Sequence, residues 1–482
     1  MQSKTSEKTF FGHPRQLAKL FQIELWERFS FIGMQSILLL YLYYKVSDGG
    51  LGIDSTIAGG IVGGYGGTIF LATILGAWIS DRIWGPEKTL FMSGFIVMFG
   101  NLAIALIPGI SGLFTGLALI ALGTGGIKAS ATTMVGALYE REDLRILRDS
   151  GFSIFYVSIN LGAFFGPLVS GLLQESFGFR YAFVAAAVGM AFGIWQYSRG
   201  RKSLPDIPVP NPLPSSQVKY AIIIGILGLI ALFTAITLKG LTLDNFPTVL
   251  LITIVITIAT YFTKLLTNPD LEREKKNYIL AYIPMFCVIS IFWAMWMQVF
   301  TVVTIYFDQT IDRNLGSFTI PVAWMTSLQG LWVVLFSGIL ASIWMKLGKL
   351  QPKTPIKFAF SVIIVGSGYL CFTPYFESNT VMPLALFALA LLVITIGELF
   401  LSPISLSFAT KIAPATFKTQ MVALNFLALG LGLTLGGTIY KHFYVENNPG
   451  SFFWLLFMIG LITGSILLLL SPVLNRVFKN ID

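Results

Sequence analysis

Apolar residues run along this chain in long unbroken stretches, parted by short polar connections. Fourteen stretches stand out, near residues 22–44, 57–80, 89–108, 112–137, 151–173, 181–198, 220–239, 247–267, 278–307, 322–345, 358–376, 382–408, 420–440 and 451–470. Each matches the roughly 20 apolar residues an α-helix needs to cross a bilayer. The stretches do not alternate apolar with polar, which argues against a β-barrel. The pattern predicts an all-α polytopic membrane protein with about 14 transmembrane helices.

The connections carry a second pattern. One set of alternate connections, which includes both tails, holds 24 Lys and Arg, and the other set holds 5. By the positive-inside rule both termini are cytoplasmic. The charge count also supports an even number of spans, since losing one would scramble the alternation. The longest basic connection, "RGRKSLPDIPVPNPLPSSQVK" (199–219), is Pro-rich and reads as an extended linker rather than a domain. The stretch "NPDLEREKKN" (268–277) reads as charged helix near the membrane surface. Six spans precede the first connection and six follow the second. The organisation predicted is a six-helix unit over 1–198, a linker with an inserted two-helix hairpin over 199–277, and a second six-helix unit over 278–482. "GAWISDRIWG" after the second span has a faint echo in "ASIWMKLGK", the kind of internal repeat that secondary transporters show.

Composition agrees with the pattern. The 482 residues are 55% hydrophobic and 11% charged, with a mean hydropathy of +0.77. The net charge of +9 comes from the connections, so it implies no nucleic acid or other polyanion as partner. Cys287 and Cys371 fall in apolar runs and imply no disulfide framework. His13 lies in the N-terminal tail and His442 is placed in a loop, so no histidine metal site is expected, and no cofactor. No cleavable leader is visible before the first span.

Five ionisable residues lie well inside the spans: Glu24, Glu27 and Arg28 in the first, Lys128 in the fourth and Glu398 in the tenth. Glu24 and Arg28 are spaced i,i+4 with the acid first, the favourable order on a helix. The three groups of the first span share one face. A charge at mid-bilayer costs at least about 3 kcal/mol, so that face looks into protein or water. Ion pairs that simply lock helices together are the ordinary alternative. Against it, a buried pair stabilises little compared with apolar residues of the same volume. Three acids against two bases leave one negative charge, and one proton would neutralise the set. That is the minimum for a proton-coupled site.

Around these charges stand "GTGGIKASATT", whose glycines admit a close helix neighbour, and "ITIGELFLSPISLSF", where Pro403 is expected to kink or break the helix. Tyr65, Asn160, Trp293, Trp296 and Gln298 are polar groups inside spans. Taken singly each reads as packing or interhelical bonding. Together with the charges they would line a cavity suited to a zwitterion.

"ELWERFSFIGMQ" resembles the ExxERF signature of the proton-dependent oligopeptide transporter (POT) family of the major facilitator superfamily. "GAWISDRIWG", "GIKAS", "GFSIFYVSINLGAFFGP", "GELFLSPISLSFATKIAP" and "FFGHPRQL" continue the resemblance over nearly the whole chain. It implies two six-helix bundles plus an inserted helix pair, a central peptide cavity, and alternating access driven by protons without a cofactor. By position, Arg28 and Lys128 correspond to groups that receive the peptide carboxylate, and Asn160 and Glu398 to partners of its amino end. Glu24, Glu27 and Glu398 correspond to proton-coupling acids, and Tyr65, Trp293 and Gln329 to pocket residues. Several positions depart from the family pattern. Met297 stands for a glutamate, Ile32 for a tyrosine, Gln35 for an arginine, Gln329 and Gly330 for Asn-Pro, Asn425 for a tryptophan, and "KAS" for KPN.

The function implied is a proton-coupled symporter of di- or tripeptides in the cytoplasmic membrane. Its partners are a small-molecule substrate and the lipid bilayer, and it acts as a monomer. The pocket departures leave open a non-peptide anion or zwitterion such as nitrate. A non-transporting sensor is a further alternative. An enzyme is disfavoured by the lack of a metal cluster, nucleophile motif or phosphate loop.

Overall fold

The computed structural model describes residues 10–479, apart from 141, 270, 378–379, 415–416 and 447. The chain is helical almost throughout, because in lipid a helix satisfies its own backbone. Six spans come first: α1 (Leu17–Tyr43), α2 (Ser55–Ile79), α3 (Pro86–Leu106), α4 (Gly109–Leu138), α5 (Arg148–Phe177) and α6 (Phe179–Ser198). A hairpin of α7 (Ser215–Thr237) and α8 (Phe246–Thr267) follows. The remaining six spans are built from α9 (Arg273–Trp296) with α10 (Val302–Gln309), α11 (Trp324–Leu347), α12 (Thr354–Leu370) with the short α13 (Thr373–Glu377), α14 (Leu384–Ile412), α15 (Lys418–Phe443) and α16 (Pro449–Val477). Two short strands, β1 (Asn314–Leu315) and β2 (Phe318–Thr319), form an antiparallel hairpin before α11. Each predicted apolar stretch falls on one of these fourteen spans.

By packing, the chain divides into two compact units. The first holds Met1–Gly52 and Leu71–Thr242, and the second holds Ile53–Phe70 and Leu243–Asp482. In the first unit α1 packs on α5 and α6, and α3 on α4 and α6. A core of Leu17, Leu20, Met134, Tyr139 and Tyr197 fills its tail-side end. In the second unit α12 packs on α14 and α16, and α15 on α9 and α8. The first half of α2 belongs here too. Gly59 and Gly63 leave no room for a Cβ against Tyr440 and Gly437 of α15, so the two helices touch backbone to backbone.

Several local expectations need correction. The span predicted over 278–307 is broken: α9 ends at Trp296 and a 3₁₀ turn covers Met297–Phe300 before α10. Side chains take over the freed backbone there. Gln298 Nε2 donates to Ala294 O (2.9 Å) and to Gly436 O of α15 (3.0 Å), and its Oε1 accepts from Thr301 Oγ1 (2.8 Å). Conversely, α14 runs through Pro403 without a break. The charged stretch from 268 becomes helical only at Arg273.

His13 is not a free tail residue. It is buried, its Nδ1 lies 2.8 Å from the Tyr139 hydroxyl, and Phe10 and His13 close a small backbone bridge. Burial also raises the pKa of Tyr139 above the ordinary phenol value. His442 lies in the last turn of α15 rather than in a loop. Of the stretch 199–219 only 204–214 lacks helix or turn, and that part is docked. Asn211 N donates to Asp81 O (2.9 Å) and Leu213 N to Arg82 O (3.0 Å) at the π-helical turn that closes α2.

Candidate functional site

In the first unit, helix spacing brings Glu24, Glu27 and Arg28 onto one face of α1, where they are 4%, 0% and 6% exposed. Arg28 sits between the two acids. Its Nε donates to Glu27 Oε2 at 2.5 Å and lies 3.3 Å from Glu24 Oε1. Its Nη2 is also 2.5 Å from Glu27 Oε2, without hydrogen-bond alignment. The guanidinium stands 5.3 Å from the Phe31 ring centre, a cation–π distance.

Glu27 is held at both oxygens, because Oε1 accepts from Thr124 Oγ1 of α4 at 2.8 Å. Glu24 differs: its Oε2 is buried with no hydrogen-bond partner among the described residues. One turn beyond Thr124, Lys128 is half-buried and within electrostatic reach of Arg28, Glu27 and Glu24. Thr124 was not anticipated as a site residue. Its i−4 spacing from Lys128 was the available signal.

Glycines set the position of this cluster. A Cβ at Gly162 of α5 would lie 2.6 Å from Arg28 Cβ, so α5 can rest directly on the helix that carries the charges. Gly125 of α4 lies against the Ala72–Thr73 backbone, and Gly126 against Ser93 of α3. The glycines before Lys128 are therefore packing devices. Asn160 of α5 is half-buried and gives its Nδ2 to Tyr156 O of its own helix (2.9 Å), not to the charge cluster. Ile32 is half-buried, and Gln35 is buried with its Oε1 unpartnered among the described residues.

In the second unit, Glu398 of α14 is half-buried and its Oε2 accepts from Trp296 Nε1 of α9 at 2.8 Å. Trp293 packs edge-on against Trp296, with ring centres 5.1 Å apart. Gly432 and Gly436 of α15 lie against Trp293 Cβ and Met297 Cβ, which buries Met297. Several further polar atoms of this unit are buried without a hydrogen-bond partner among the described residues, four of them on side chains of α9, α11 and α15 that bear on the site. These four are Trp293 Nε1, Gln329 Nε2, Trp332 Nε1 and Asn425 Oδ1. Trp332 was not anticipated, although it stands three residues after Gln329 on the same helix. Buried polar atoms left unmatched cost roughly 1–3 kcal/mol each, and they are the groups a polar ligand would satisfy. Tyr65 is buried in the part of α2 that packs with this unit.

Comparison with known proteins bears on what such a chain does. A model of the POT family matches residues 87–455. An uncharacterized transporter of Bacillus subtilis (strain 168) is 38% identical over 98% of this chain and 97% of its own length. A di-/tripeptide transporter of Lactococcus lactis subsp. cremoris is 36% identical over 98% of both chains. Among solved structures, a peptide transporter POT in complex with sulfate superposes with a TM-score of 0.93 at 35% identity, over 98% of this chain and 97% of that one. A POT family transporter in complex with 5-aminolevulinic acid gives 0.90 at 32% identity, over 97% and 98%. With its fourteen spans and the buried charges of α1, the chain belongs to the POT family: it is a multi-pass membrane transporter and not an enzyme.

Proposed function

We propose that the chain is a proton-coupled symporter that takes up di- or tripeptides by alternating access across the cytoplasmic membrane, with both termini inside. One observation carries this reading. The first unit holds two cations beside acids (Arg28 and Lys128), and the second holds a carboxyl, Glu398, positioned by Trp296. Paired cations suit a carboxylate and a positioned carboxyl suits an ammonium, and a peptide carries both groups. Arg28 and Lys128 receive the carboxylate. Glu398 and Asn160 receive the amino end, and Tyr65, Trp293 and Gln329 line the pocket. The di-/tripeptide relative named above supports this choice of substrate.

For the proton, the oxygen pattern favours Glu24. Glu27 is engaged at both oxygens and acts as the anchor of Arg28. Glu24 keeps one buried oxygen unmatched, and protonation there costs no existing hydrogen bond. When a substrate carboxylate competes for Arg28, the salt link to Glu24 is the looser one, at 3.3 Å. Proton uptake by Glu24 and substrate binding at Arg28 are then linked through one guanidinium.

A second reading is kept for a specific reason. Met297, Gln329 and Asn425 replace the family's residues in the second unit, and a family member has been solved with 5-aminolevulinic acid, a zwitterion that is not a peptide. The test is uptake into proteoliposomes with an imposed pH gradient, comparing labelled dipeptides, 5-aminolevulinic acid and nitrate. Dipeptide accumulation abolished by a protonophore supports the first reading. Accumulation of 5-aminolevulinic acid or nitrate alone overturns it in favour of the second.

A further inference from the structure

The tail-side end of the first unit carries a basic cleft that the transport reading does not use. Its volume is about 770 Å³, and Arg15, Lys19, Arg199 and Lys202 line it together with Gln16 and Ser198. No acid lines it. None of the four cations makes an ion pair among the described residues. The neighbouring Arg201 shows what a satisfied arginine looks like here. It binds Glu87 in two-point fashion at 2.8 and 2.9 Å and lies 4.0 Å over the Phe91 ring.

Two of the cations, Lys19 and Arg199, are held in place by their surroundings. Leu17 and Leu20 are fully buried, so Arg15 and Lys19 are carried on the outer side of the entry to α1. The Lys19 stem lies across Gly200, where a Cβ would come within 2.8 Å of its Cδ, and its Nζ reaches Gln196 O at 3.5 Å. Arg199 stacks 4.0 Å over the ring of Trp195. Four like charges lining one cleft repel one another and favour an anion between them.

The surface beside the cleft indicates which anion. Tyr181, Val188, Phe192 and Trp195 are all exposed, at 58%, 60%, 41% and 46%, and their spacing sets them on one stripe of α6 that ends at Arg199. From Val188 to Arg199 the helix rises about 16 Å, close to half the roughly 30 Å hydrocarbon core. An acyl chain can lie on that stripe while its phosphate sits among the cations. Basic pockets of this kind on the cytoplasmic side of membrane proteins take anionic headgroups.

We infer that the cleft of Arg15, Lys19, Arg199 and Lys202 holds the phosphate headgroup of an anionic phospholipid of the inner leaflet, with its chains along α6. The inference rests on the proposed orientation of the termini and is independent of the substrate, because lipid retention is measured without transport.

The test is native mass spectrometry of the purified full chain, offered phosphatidylglycerol or phosphatidylcholine. The wild type retains phosphatidylglycerol preferentially. The variant R15Q/K19Q/R199Q/K202Q loses about fivefold or more in that preference. A control of equal charge change, R145Q/K346Q/K353Q/K411Q, keeps it. Gly200→Val displaces the Lys19 stem while keeping every charge. It lowers retention about twofold to fivefold and stands in if the fourfold variant does not fold. Equal retention of the two lipids by the wild type, undiminished retention by the cleft variants, or equal loss in the control overturns the inference. Displacement of the lipid by millimolar inorganic phosphate assigns the cleft to a soluble anion instead and overturns it as well.

Discussion

The charges of α1 and the carboxyl of Glu398 are kept from lipid by different means. In the first unit, charge answers charge. Arg28 divides itself between Glu24 and Glu27, Thr124 takes the spare oxygen of Glu27, and Lys128 adds its field from the next turn of α4. In the second unit, one indole N–H holds Glu398, and the polar atoms of Trp293, Gln329, Trp332 and Asn425 stand unmatched on three helices. The first arrangement is held by ion pairs and leaves Glu24 Oε2 unmatched, while the second is held by one hydrogen bond and leaves these neutral polar atoms unmatched. A network of ion pairs registers a ligand by exchanging partners. A set with unmatched donors and an unmatched acceptor registers it by gaining partners. Under the proposed function, coupling is assigned to the first and tuning of substrate choice to the second.

The sharpest way to break this contrast is to remove a cation. Arg28→Ala leaves Glu27 buried without its ion partner, a loss worth about 3–5 kcal/mol, and gradient-driven uptake in proteoliposomes falls to background. Lys128→Ala does the same. Uptake near wild type in either variant would refute the carboxylate assignment.

Next comes Glu398→Gln. Losing a charged hydrogen bond of about 1.5–3 kcal/mol weakens peptides with a free amino end by roughly tenfold to a hundredfold, while Nα-acetylated peptides are affected little. Equal losses for both would detach Glu398 from the amino end.

The two acids of α1 are predicted to separate. Glu24→Gln abolishes dependence on the pH gradient but keeps counterflow exchange. Glu27→Gln disturbs Arg28 and reduces both by about tenfold, in line with about 1–2 kcal/mol for a lost partner. If Glu27→Gln alone uncouples and Glu24→Gln is silent, the proton assignment is reversed. Gly162→Val tests the scaffold beneath. Overpacking costs about 1–3 kcal/mol, read as a lowered thermal midpoint, with Gly228→Val on α7 as a control where a Cβ meets nothing. The smallest effect is expected from Thr124→Val, a few-fold rise in KM at unchanged expression.

Much of this was legible in the sequence, and the exceptions have a common cause. Spans follow from composition, because lipid permits few alternatives for a polar backbone. The α1 cluster followed from i,i+3 and i,i+4 spacing alone. What escaped depends on partners distant in the chain. The break at Met297–Phe300 is stabilised by Gly436 on α15, and His13 is buried by Tyr139, which lies 126 residues away. Thr124 sits in a glycine run and reads as packing until Glu27 is seen against it. The division of labour between Glu24 and Glu27 is invisible in spacing, since it lies in which oxygen has a partner.

The clasp formed by Phe10 and His13 has a practical consequence for anyone making the protein. Phe10 and His13 exchange backbone hydrogen bonds of 2.9 and 3.0 Å, the Phe10 ring meets Phe21, and His13 grips Tyr139 at the end of α4. An affinity tag or reporter joined at the start of α1 would remove that grip from the side of the molecule where Arg15 and Lys19 stand. A fusion or truncation that reaches past Phe10, seven residues ahead of Leu17 where the first helix begins, therefore costs the clasp.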